Sequence, residues 1–388
     1  MPHSAIDDSK RILADLIAFP TVSADSNRDL IDYTKTLLEK TGARTKVIIS
    51  PCGKKANLFA TLGPDIDGGI VLSGHSDVVP ADASDWTSDP FDLREADGLL
   101  YGRGTCDMKG FIAACLAMAS HYASLDLKRP VHFAFTYDEE VGCFGARHLV
   151  EELPNFGITP SVAIIGEPTE LRVIEGHKGC YEYTTHFCGT DGHGSEPDKG
   201  VNAIHFAAQY ITKLLDVGNE MKTRQHPSAN RFDPPWTTVQ VGRIEGGLAR
   251  NVLARNCAVE WEMRPVEPKD GEDVKSVLSH YCDHTLLPEM QKVYPDASIT
   301  TEVVGEVAGL QVADENEARD IMCALTGHEH CEVVAFGTEA GLFQEFGMSV
   351  VVCGPGSIAQ AHQPDEFISI DQLSQCLDML EGLSERLT

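Results

Sequence analysis

No apolar run in this sequence approaches the length of a membrane span, and the polar, acidic first residues 1–8 lack the basic start and apolar core of a secretory leader. A cytoplasmic protein is therefore expected. Basic residues are scarce: 31 Lys and Arg face 59 Asp and Glu, a net charge of -28. Such a surface would repel a phosphate backbone or an anionic bilayer, which argues against nucleic acid and membranes as partners. Closely spaced cysteines are missing as well. The twelve Cys come no nearer in sequence than Cys180 and Cys188, so neither a C-x-x-C redox motif nor a thiolate zinc site is spelled out, and mostly buried free thiols are expected. Repeats and low-complexity tracts are absent too.

What remains is the profile of a globular chain with ample core, and 388 residues suggest two domains. Short apolar runs bounded by turn residues alternate with longer helical patterns, which predicts an α/β domain whose central sheet is mixed, mainly parallel and flanked by helices. Strands are expected at 57–62, 70–73, 131–137, 162–165 and 349–353. Helices are expected at 7–17, 27–40, 108–124, 145–153, 314–325 and 370–384. Between 179 and 306 the order changes to strand 181–188, helix 201–215, strands 237–244 and 257–263, helix 272–292 and strand 297–304. That order predicts an inserted α+β, ferredoxin-like domain serving as lid or dimerisation module, with 1–178 and 307–388 forming the catalytic domain.

In open α/β sheets, ligands bind beyond the carboxyl ends of the strands. The residues that follow each apolar run are of one chemical kind. His75 and Asp77 follow 70–73; Glu139 and Glu140 follow 131–137; Glu167 follows 162–165; His362 lies in the loop after 349–353. Asp107 comes after the Gly102–Gly104 turn and opens a helix. A catalytic zinc takes His nitrogen and carboxylate oxygen and keeps a place for water. A pair of zincs about 3.5–4 Å apart needs one bridging carboxylate and four terminal ligands. Asp107 serves as bridge, with His75, Glu140, Glu167 and His362 as terminal ligands. Three carboxylates and a hydroxide then neutralise two divalent cations. Neighbouring side chains at a strand end point apart, so Glu140 is assigned to metal and Glu139 to general base. Asp77, two residues past His75 on an extended segment, is expected to accept the imidazole's other N–H.

These residues lie in the motifs G-H-S-D-V-V-P from Gly74, Y-G-R-G-T-C-D-M-K-G from Tyr101, T-Y-D-E-E from Thr136, G-E-P-T from Gly166, G-T-E-A from Gly337 and G-P-G-S-I-A-Q-A-H-Q-P-D-E from Gly354. Together and in this order they resemble the dinuclear zinc aminoacylase and carboxypeptidase family, over nearly the whole chain. The resemblance implies His75 and Glu167 on one zinc and Glu140 and His362 on the other, with Co2+ able to substitute. In G-T-D-G-H-G-S-E-P it implies that His193 reaches a partner subunit's site and steadies the oxyanion, which requires a homodimer formed through the inserted domain. It implies substrate-binding roles for Asn251 and Arg264, and for Thr338 and Gly356 in the two C-terminal motifs. A plain ion pair of Arg264 with Glu260 or Glu262 is the alternative. It also implies a cis Asp107–Met108 peptide. Cys106 departs from the small residue of many relatives, and Val78 and Val79 from the usual first motif. The implied reaction removes the acyl group from an N-acyl amino acid, N-acetyl-L-ornithine foremost, as a step of arginine biosynthesis. The alternatives are a succinyl-diaminopimelate-type desuccinylase, another N-acyl amino acid or dipeptide hydrolase, and, in a different class, a catalytically silent ligand- or metal-binding relative.

Other signals are set aside. Gly102-Arg103-Gly104 starts like a dinucleotide fingerprint, but Asp107 stands at the third glycine and would face phosphate with negative charge. Ser357 lacks the flanking glycines of a nucleophile elbow. His328-Glu329-His330 lacks the helical spacing of a zincin, and His132 and His205 read as packing or surface residues.

Overall fold

The computed structural model describes residues 3–157, 159–224 and 226–388. The chain divides into two compact units: 1–176 with 310–333 and 338–388, and 177–309 with 334–337.

The first unit is built on an eight-stranded mixed sheet ordered Arg44–Ile49, Ala56–Leu62, Val131–Thr136, Ile70–His75, Val162–Pro168, Ser349–Gly354, Ile174–His177, Glu332–Val334. Its four central strands, from Val131–Thr136 to Ser349–Gly354, run parallel. Strands covered on both faces need apolar side chains at every position, and V-H-F-A-F-T, I-V-L-S-G-H and V-A-I-I-G-E-P are buried from end to end. Helices flank the sheet. Lys109–Ala123 is apolar nearly all round and packs against helices His3–Ile17 and Ile370–Gly382 as well as strand Ile70–His75. The edge strand Arg44–Ile49 carries charge and only partial burial, which hides it from an apolar-run search. A small sheet of Arg94–Ala96, Leu99–Tyr101 and Phe367–Ser369 was equally hidden, because three-residue strands carry almost no periodicity.

The second unit is a four-stranded antiparallel sheet ordered Thr238–Gly246, Asn256–Arg264, Cys180–Cys188, Ser298–Val307. Alternation along Asn256–Arg264 buries Cys257, Val259, Trp261 and Met263. Helix Ala203–Met221 buries Ala203, Ala207, Tyr210, Leu214, Val217 and Met221 at helical spacing, making with these residues one core in which Tyr183 stacks on Trp261 at 4.4 Å. The helix expected at 272–292 is corrected in two respects. It starts at Pro268, a residue suited to the first helical turn, and is interrupted by a wide turn at Cys282–Leu286 before resuming at Leu287–Val293. Pro288, which has no N–H to give, accounts for the break in the hydrogen-bond ladder.

Candidate metal centre

Four adjacent parallel strands end on one edge of the main sheet, and each delivers a donor there. His75 is the last residue of its strand, Glu139 and Glu140 form the turn after Val131–Thr136, Glu167 is the penultimate residue of its strand, and His362 lies in the loop after Ser349–Gly354. Asp107 completes the group just before helix Lys109–Ala123, across a cis peptide to Met108.

The Asp107 carboxylate is shared between the two imidazoles: Oδ1 lies 3.0 Å from His75 Nε2 and Oδ2 lies 3.3 Å from His362 Nε2. Glu140 Oε2 is 3.0 Å from His362 Nε2, and Glu167 Oε1 is 3.8 Å from His75 Nε2. Ligand atoms of His75, Asp107 and Glu140 fall within 4.8 Å of one another, as do those of His75, Glu139 and Glu167. Burial is the largest influence on Glu139, Glu140 and Glu167 and pushes all three carboxyls up, with neighbouring carboxylates adding to it. Burial also opposes ionisation of Asp107, yet hydrogen bonds from His362 and His75 hold its carboxyl below the usual range. Hydrogen bonds to Asp107 and Glu140 push the His362 imidazole up to about 10. A pocket that crowds buried carboxylates and draws protons onto its imidazoles is seeking positive charge. Glu140 Oε1 and Glu167 Oε1 are buried with no hydrogen-bond partner, as metal-ligating oxygens would be in the absence of their ion. The donor set of imidazole and carboxylate fits a divalent cation of the zinc type.

The turn bearing the adjacent glutamates is held from several sides. Backbone N–H groups of Glu139 and Glu140 donate to Asp77 Oδ1 and Oδ2 at 3.1 and 3.4 Å, and Ser23 Oγ donates to Asp77 Oδ2 at 2.7 Å. Asp138 sits at φ 54° and is paired with Lys55. The expected partner of His75 Nδ1 is corrected: it is the Asp77 backbone carbonyl at 2.9 Å, while the carboxylate stands off at 3.7 Å. The carboxylate is already occupied by the glutamate turn, so Asp77 fixes both the imidazole and the neighbouring glutamates.

Two residues at this edge escaped the sequence reading. Glu366, buried, accepts from the backbone N–H groups of Gly104, Cys106 and Asp107 at 3.0, 2.8 and 2.9 Å and from Arg103 Nη1 at 2.7 Å, so it shapes the loop that presents Asp107. Glu339, also buried, accepts from Ser73 Oγ at 2.5 Å and Thr136 Oγ1 at 2.8 Å. Both stand inside quoted motifs; their burial, which alone distinguishes them from solvated acids, is not written in the sequence.

Thr338 is buried, its Oγ1 accepting the Ala340 N–H at 3.1 Å. Gly356 lies at φ 89°, and a Cβ there would come within 2.6 Å of Cys106 Sγ, so only glycine lets this loop close on the Asp107 segment. In the second unit, the Gly194 N–H donates to the Asn251 carbonyl at 2.8 Å, and His193 bridges to Val252, which brings exposed His193 and Asn251 into one loop pair. His193 Nδ1 meets Ser195 Oγ at 2.7 Å. Arg264 is paired with Glu262 at 2.7 Å. None of the twelve cysteines is in a disulfide, and among the described residues no helix is long and apolar enough to cross a membrane.

Strand-end carboxylates and imidazoles around a cation-seeking pocket, on an open mainly parallel sheet, fit a metal-dependent hydrolase, and the family of this chain and its relatives make amides its substrates. The chain belongs to the peptidase family M20/M25/M40, whose profile it matches over residues 71–386. It is 36% identical over 375 residues to an acetylornithine deacetylase of Pasteurella multocida, covering 95% of each chain, and 36% identical over 378 residues to one of Proteus mirabilis, covering 95% of this chain and 94% of the other. Its fold resembles an M20-family metallo-carboxypeptidase of Sulfolobus solfataricus with a TM-score of 0.78 at 18% identity, covering 98% of this chain and 99% of the other. It also resembles a dinuclear metal-binding M20 peptidase of Bacillus subtilis with a TM-score of 0.64 at 16% identity, covering 98% and 97%.

Proposed function

We propose that this enzyme removes the acetyl group from N-acetyl-L-ornithine, with two zinc ions held by His75 and Glu167 on one side, Glu140 and His362 on the other, and Asp107 between. The observation that carries the metal pair is the Asp107 carboxylate, one oxygen toward each imidazole. The substrate rests on the 36% identity to acetylornithine deacetylases over nearly the whole chain.

Held by these residues, the metal pair would polarise the amide carbonyl and lower the pKa of a water. Glu139, in the turn that Asp77 anchors, takes a proton from the attacking water and returns it to the leaving nitrogen. Burial, with the neighbouring carboxylates adding to it, raises its carboxyl above the ordinary range. His193 donates to the oxygen that gains negative charge, acting on a partner subunit's site in a dimer formed through the inserted unit. Arg264 receives the substrate carboxylate, exchanging its bond to Glu262 for a charge-assisted one, and Asn251 holds a second oxygen. Thr338 and Gly356 serve as further substrate-binding positions.

Purified protein loaded with zinc or cobalt is expected to release acetate from N-acetylornithine faster than succinate from a succinyl-diamino acid, followed by amine detection. The reverse ranking would overturn the substrate and leave the chemistry intact. Bound metal measured at one ion per chain at full activity would overturn the pair.

A further inference from the structure

Glu339 takes no part in the reaction just described, yet its surroundings are unusual for a carboxylate. It is fully buried, and among the described residues its hydrogen-bond partners are Ser73 and Thr136 with no Lys or Arg. Its two hydrogen bonds come from neutral hydroxyls. A carboxylate in such a place is costly unless positive charge stands nearby.

The location supplies the reason. Ser73 lies two residues before His75 on the same strand, so their side chains share a face. Thr136 is the partner of His75 across the adjacent parallel strand, and the chain turns from it into Asp138, Glu139 and Glu140. Glu339 thus clasps the two strand ends that present His75 and the glutamate pair. Burial raises its carboxyl, the Ser73 and Thr136 hydroxyls and the charge of His75 pull it back down, and Asp77 adds to the rise, so it lies within electrostatic reach of the donors.

We propose that Glu339 is a positioning residue of the metal centre: its carboxylate fixes the register of the two strand ends, and its negative charge strengthens the binding of the cations. The proposal rests on the reading of this edge as a metal centre and is independent of which amide is cleaved.

Glu339→Gln keeps the shape and removes the charge. The apo protein of this variant is expected to keep its circular dichroism spectrum. Its zinc dissociation constant, measured by competition with a chromogenic chelator, is expected to rise about ten- to a hundredfold, a size seen when groups that support metal ligands are altered. The visible bands of the cobalt-loaded protein are expected to shift, and Glu339→Asp to recover part of the affinity. Zinc affinity within twofold of wild type and an unchanged cobalt spectrum would overturn the proposal. If Glu339→Gln does not fold, Ser73→Ala and Thr136→Ala decide: each is expected to weaken zinc severalfold, and no weakening in either overturns it. A wild-type protein that binds no divalent ion would remove the metal centre and this proposal together. One that binds ions but cleaves no N-acyl amino acid would remove only the proposed substrate.

Discussion

At the scale of single residues, the site is a problem in placing like charges together. Asp107, Glu140 and Glu167 are buried within a few ångströms of two imidazoles, and Glu139 stands beside them without being needed to complete the bridge. Glu139→Gln is therefore expected to lower kcat by about a hundred- to ten-thousandfold with metal content and melting temperature close to wild type. A variant turning over at the parental rate would remove Glu139 from the role of base. His132 yields a second expectation, on stability. Its ring is buried against Phe59, with Nδ1 on Thr61 Oγ1 at 2.8 Å, and burial lowers its pKa to about 3. The unfolded chain, with an ordinary imidazole, binds more protons between about pH 6.5 and 3. Stability contributed by the neutral ring is thus present above pH 6.5 and is lost as pH falls through that window, by up to about 1.4 kcal/mol per pH unit. His177, pushed down to about 4 by burial, acts in the same direction. Urea unfolding at pH 7.5 and 5.5 is expected to show a smaller acid loss for His132→Asn than for wild type; an equal loss would clear His132.

At the scale of elements, each donor owes its position to a strand end, and the strands are set by close packing behind them. A Cβ at Gly166 would fall 2.0 Å from the Phe111 ring, and Glu167 is the next residue. Gly166→Ala is expected to destabilise the protein by about 1–3 kcal/mol, as overpacking of a core does, and to weaken metal binding because Glu167 moves with its strand. A melting temperature and zinc affinity both at wild-type values would show that Phe111 yields freely. This dependence also marks what was legible in the sequence. Apolar runs such as 131–137 and 162–165 revealed the central strands, and the polar residues after them revealed the donors. The partner of His75 Nδ1 was misread because period-two spacing tells which side a residue faces and not whether its carbonyl or its carboxylate arrives first. The break at 282–286 was missed because the apolar pattern of a helix continues across one wide turn.

At the scale of the whole molecule, the second unit folds around its own core of aromatic and aliphatic side chains and carries His193, Asn251 and Arg264, none of which belongs to the first unit. The proposed exchange of His193 between subunits has a consequence that can be counted. Mixing Glu139→Gln with His193→Ala, each nearly inactive, leaves half of the randomly paired dimers mixed, and each mixed dimer holds one intact site. Activity is expected to return to about a quarter of wild type. No recovery after demonstrated subunit exchange would place His193 at its own subunit's site or at none.

The Glu366 carboxylate, gathering the amides of Gly104, Cys106 and Asp107 from more than 250 positions away, bears on how the enzyme is made. On the ribosome, a nascent chain that has emerged only as far as the inserted unit already owns His75, Glu139, Glu140 and Glu167, but lacks both His362 and the anchor that shapes the Asp107 loop. Completion of the pocket is thereby coupled to a segment synthesised after the inserted unit, and a translation product stopped before it carries most of the donors without a finished centre.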